Sequence, residues 1–178
     1  MGGFFGKKNN MDAKYIYENI GIAQHYLDTF HMLVSRETLC MDMCFLPPFR
    51  WKAFYAQIFG KNGGFRAHCA FTRYADHTGA ESFSQSFVTA EKADVLSHKK
   101  GDVICRITDI DRAMVNMLTE QAEAFQPAPA EEEGVVLDGI YAAVRLYENG
   151  SVTKEIIITP RQKDTAVTES MIAFSKLI

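Results

Sequence analysis

Apolar residues recur at helical spacing from Asp12 to Val34. Ile16, Ile20, Ala23, Leu27, Phe30 and Val34 follow one another at steps of 4, 3, 4, 3 and 4. That period places them on one stripe of a helix. Tyr15, Ile22, Tyr26 and Leu33 form a second stripe beside it. The combined arc is wide enough to touch two neighbours. Asn10 is the expected N-cap, with Asp12 in the first turn.

The pattern then changes period. Leu39, Met41, Met43 and Phe45 alternate with Thr38, Cys40, Asp42 and Cys44, which predicts a strand that Pro47-Pro48 ends. Phe49 to Phe59 is short and aromatic, and Trp51, Phe54, Tyr55 and Ile58 fit a short helix. Gly60-Lys61-Asn62-Gly63-Gly64 is a break. Phe65 to Tyr74 and Glu81 to Thr89 alternate again and predict a hairpin turned at Asp76-His77-Thr78-Gly79. A short helix from Ala90 and a strand from Val103 to Thr108 come next.

Thr108-Asp109-Ile110-Asp111 resembles a capping box. It opens a helix whose apolar face is Ile110, Met114, Met117, Leu118, Gln121 and Phe125. Residues 126–134 are rich in Pro, Ala and Glu and predict an exposed, solvated loop. Val135 to Tyr147 and Val152 to Thr159 flank Asn149-Gly150, the strongest short hairpin signal in the chain. Asp164 is placed to cap a last helix with the stripe Val167, Met171, Phe174 and Ile178.

These elements predict an α+β fold: a mostly antiparallel sheet of about six strands with three main helices packed against it. Residues 1–10 read as a flexible N-terminal arm and residues 11–178 as a single domain. The chain has 178 residues, 47% hydrophobic and 23% charged. That is enough apolar surface for one folded core, and it excludes disorder of the whole chain. The net charge of -3 carries no footprint for nucleic acid. No apolar run reaches the roughly 18 residues a membrane span needs. The two Phe and two Lys of the arm give no stable membrane association on their own. With no secretory pattern at the start and only four cysteines, the expectation is a cytoplasmic protein with reduced thiols.

The sequence offers few constellations for chemistry. On a strand, Cys40 and Cys44 lie roughly 13 Å apart, too far for one metal ion or a disulfide. Cys69 and Cys105 alternate onto apolar faces, where a thiolate is disfavoured. No HExxH, CxxC, GxGxxG or GxSxG pattern is present. Gly60 to Gly64 lacks the order of a phosphate loop. Asp109 and Asp111 are better explained as a helix cap than as metal ligands. No metal and no cofactor is therefore expected.

One cluster mixes rings with cations: Arg50, Trp51 and Tyr55, with Arg66 and His68 shortly after. Such residues form interfaces and ligand pockets alike. The favoured expectation is a non-catalytic binding or interaction domain that self-associates or takes a protein partner. The alternative is an enzyme or small-molecule sensor with its pocket near Trp51, Tyr55, Arg66 and His68.

Overall fold

The computed structural model describes residues 5–47, 52–72, 103–127, 139–160 and 165–178. Helix α1 (Phe5–Thr29) leads into β1 (Leu39–Leu46), β2 (Phe54–Lys61), β3 (Gly64–Thr72) and β4 (Val103–Ile110). Helix α2 (Arg112–Ala124), β5 (Tyr141–Glu148), β6 (Ser151–Ile158) and α3 (Thr165–Ser175) complete the order. The six strands form one sheet in the order β4-β3-β2-β1-β5-β6. Every neighbouring pair is antiparallel. The expected α+β class is the observed one.

Two tight turns set the register. Asn62-Gly63 joins β2 to β3 and Asn149-Gly150 joins β5 to β6. Their φ angles are 52° and 78° in the first and 50° and 81° in the second. Positive φ at both central residues is the type I′ turn, whose twist matches the strands it joins. Asn tolerates that region and Gly enters it freely.

The sheet is covered on both faces. Met41, Met43, Phe45, Phe54, Ala56, Ile58 and Cys69 bury one face against Val115, Leu118 and Ala122 of α2 and Val167, Met171 and Phe174 of α3. Cys44, Leu46, Tyr55, Ala70 and Ala143 bury the other against Ile16, Ile20, Ala23 and Leu27 of α1. The layers are therefore one helix, the sheet, and two helices. Each large side chain so buried contributes roughly 1.5–3 kcal/mol.

Several expectations are corrected. Phe54 to Phe59 is strand, not helix. Residues 54 to 58 are buried on both faces, so no polar alternation remains in the sequence to reveal period two. Strand β3 pairs with β2 and β4, whereas the expected partner, residues 81–89, lies outside the described residues. The 90–98 helix and most of the 126–134 loop also lie outside them; Gln126 and Pro127 are exposed. Thr108 to Ile110 continues β4, and α2 begins only at Arg112. Asp111 occupies the N-cap position without a side-chain cap bond. Helix α1 takes in residues 5–10, which the sequence assigned to the arm and its cap.

The same helix ends five residues before Val34, and its ending has a clear cause. Met32 N–H donates to Leu27 O at 2.7 Å and His31 N–H to Asp28 O at 2.9 Å. This is the Schellman pair of bonds. His31 sits between them with φ 57°. A non-glycine residue there costs roughly 1–2 kcal/mol. His31 is exposed, so His31→Gly is expected to stabilise the fold by about 1 kcal/mol. A rise of several degrees in the thermal midpoint checks this; an unchanged or lower midpoint contradicts it.

Candidate functional site

The sheet face under α1 carries a polar row. Strand register aligns His68 of β3, Gln57 of β2, Asp42 of β1, Arg145 of β5 and Glu155 of β6 side by side. Alternation puts Asp42 on the same face as Cys44, away from Met41 and Met43. The apolar half of this face lies under Ile16 to Leu27. The segment after α1 crosses part of the polar half.

Asp42 is the centre of the row and is 1% exposed. Its Oδ1 accepts from Arg145 Nε at 2.8 Å. Its Oδ2 accepts from Tyr55 OH at 2.8 Å, from Tyr147 OH at 3.2 Å and from Arg145 Nη2. Tyr55 OH in turn accepts from Gln24 Nε2 of α1 at 3.0 Å. The network thus ties α1 to three strands. A buried carboxylate survives only with this degree of pairing.

The electrostatics follow from that geometry. Burial, then the Asp42 charge, holds the Tyr55 hydroxyl well above the usual phenol range. The same two causes push Tyr147 up to about 12. Arg145 is partly desolvated, which works against its charge, but the Asp42 hydrogen bonds and charge outweigh this and raise it. Both tyrosines therefore stay protonated donors and Arg145 stays a cation. At the outer end of the row, Tyr17 OH donates to Glu155 Oε1. Partial burial and that carboxylate push Tyr17 up to about 12.

The remaining members are also engaged. Gln57 Oε1 accepts from Val34 N–H at 2.9 Å. His68 Nδ1 lies 2.6 Å from Met32 O, and since a carbonyl only accepts, Nδ1 carries the proton. The His68 ring stands edge-on to Phe59 at 5.0 Å. These bonds strap residues 32–34 onto the sheet.

Comparison with family models, curated proteins and solved structures returns no match. The site is therefore read from its own geometry.

Of the residues nominated from sequence, Tyr55, Arg66 and His68 share the α1 face of the sheet. They have different partners: Tyr55 joins Asp42 and Gln24, His68 joins Met32, and Arg66 Nε donates to Asp109 Oδ1 at 2.8 Å. Asp109 is thus an ion-pair partner of Arg66 rather than a helix cap. Arg50 and Trp51 lie outside the described residues. No helix among the described residues is long and apolar enough to cross a membrane. No three His, Cys, Asp or Glu side chains converge as a metal site among them.

The thiols are poor nucleophiles in this setting. Burial pushes Cys69 and Cys105 up to about 12 and Cys44 higher still, the Asp42 charge adding to the last. The sequence left Asp42, Arg145 and Tyr147 unassigned to any site. Their signal is a single charged residue within each of two otherwise apolar strands, a placement tolerated inside a sheet only as a pair.

Proposed function

We propose that this chain is a non-catalytic interaction domain that associates with itself. The observation that carries the reading is a contrast. The polar groups suited to chemistry are spent on internal bonds, while large apolar side chains are left in solvent around one sheet edge. Phe30 and Leu33 are each 45% exposed and Ile107 is 50% exposed. Phe30 and Leu33 flank Met32, which is bonded to His68. Ile107 sits beside His68 on β4, the end strand of the described sheet. Clustered apolar exposure of this kind marks an association surface.

Native mass spectrometry and sedimentation velocity test the reading. A dimer or larger species is expected at about 50 μM protein, as for an interface of micromolar affinity. Ile107→Lys should return it to monomer with the circular dichroism spectrum unchanged, because the side chain is half in solvent. A monomer at that concentration overturns the proposal. A monomer carrying a small-molecule adduct overturns it in favour of a ligand-binding or enzymatic role.

A further inference from the structure

We propose that Lys52 and Arg106 form a binding site for a phosphate-type oxyanion beside the ring of Phe71, on the sheet face opposite α1. The site shares no residue with the association surface and does not depend on it.

The register builds it. Phe71 of β3 lies between Phe54 of β2 and Ile104 of β4. Lys52 stands two residues before Phe54 and Arg106 two residues after Ile104. Each is a diagonal neighbour of Phe71 on one face, within reach of long side chains. Lys52 Nζ lies 5.0 Å from the ring centroid and Arg106 Cζ 5.3 Å from it. The ring belongs to the core and is 2% exposed. It holds both cations by its π face. They are therefore no more than about 10 Å apart, within one screening length at ordinary salt.

This placement needs a countercharge. Neither cation belongs to an ion pair among the described residues. Lys52 Nζ donates to the main-chain oxygen of Ile178 at 2.6 Å, leaving two of its three N–H groups. Burial, then the charge of Arg106, pulls the Lys52 ammonium below its usual range, so the two cations repel. A bridging anion relieves that repulsion. Arg106 supplies a planar fork suited to two oxygens and Lys52 a point charge suited to a third. A tetrahedral oxyanion meets both requirements. Free phosphate and a phosphate monoester share this chemistry.

Titration of the 15N-labelled chain at fixed ionic strength tests the site, with inorganic phosphate and phenyl phosphate as separate probes. Saturable shifts of the Lys52, Phe71 and Arg106 amides are expected, with Kd about 1 mM. The tighter probe distinguishes the free anion from the ester. Arg106→Met and Lys52→Met should each weaken binding by about tenfold, the scale of one charge-assisted hydrogen bond. Absence of saturable shifts with both probes overturns the proposal. So does an affinity left unchanged by either substitution.

Discussion

Asp42→Asn is expected to lower unfolding free energy by about 3–5 kcal/mol, because it strands a buried cation. Asn keeps the shape of Asp and one acceptor oxygen. It removes the charge that offsets the desolvation of Arg145, whose side chain is 10% exposed. Tyr55→Phe and Tyr147→Phe are milder, about 1 kcal/mol each, since each deletes one hydrogen bond and leaves the ion pair in place. The pair as a whole is a different matter. Replacing both members by apolar residues, Asp42→Leu with Arg145→Met, removes two desolvation costs together and should recover most of the loss. Urea unfolding of the two single variants and the double variant closes a double-mutant cycle. If Asp42→Asn costs under about 1 kcal/mol, the pair is hydrated rather than buried, and the central role given to it fails.

That cycle also bears on what the network is for. A sheet covered on both faces can slide by two residues in register without exposing its apolar positions. The Asp42, Tyr55 and Arg145 partnership has one register in which every bond is made. The two type I′ turns fix β2–β3 and β5–β6 locally, while β1 joins the two hairpins through longer connections. Asp42 lies on that central strand, bonded to β2 on one side and β5 on the other. The network therefore supplies a register lock where turn geometry supplies none.

This division explains which features the sequence displayed. Asn149-Gly150 and the α3 stripe of Val167, Met171, Phe174 and Ile178 were legible because local chemistry and tertiary structure agree there. The β1 alternation was legible because its two faces differ, Asp42 and Cys40 against Met41 and Met43. Strand β2 was not, since burial on both faces erased its alternation. The end of α1 was hidden because His31, and not Gly, takes the left-handed position. The candidate site was only half visible. Tyr55 and His68 stood out as types, but their partners Asp42, Gln24 and Met32 lie 13, 31 and 36 residues away. Such pairings depend on strand order, which hairpin signals do not encode.

Alkaline pH is expected to destabilise the fold steeply, and the cause lies in the thiols. Cys44 and Cys69 are fully buried, and burial raises both above the ordinary thiol value of 9.0. A group raised in the folded state contributes its full stability below the unfolded value and loses it as pH climbs towards the folded one. Above about pH 9 the unfolded chain releases these two protons and the folded chain keeps them. Each thiol then removes about 1.4 kcal/mol per pH unit. At about pH 10.5 the two together have removed about 4 kcal/mol, a large share of a domain's usual stability. Tyr55 adds to the slope above about pH 10, because its hydroxyl is raised as well. Unfolding free energy measured from about pH 7 to 11 under reducing conditions should stay level and then fall. Cys44→Ala and Cys69→Ala should each flatten that fall, whatever packing they lose at neutral pH, since each removes one titrating proton. A stability that holds level to about pH 10.5 would show that both thiols ionise in the folded chain, and would remove the argument that burial makes them inert.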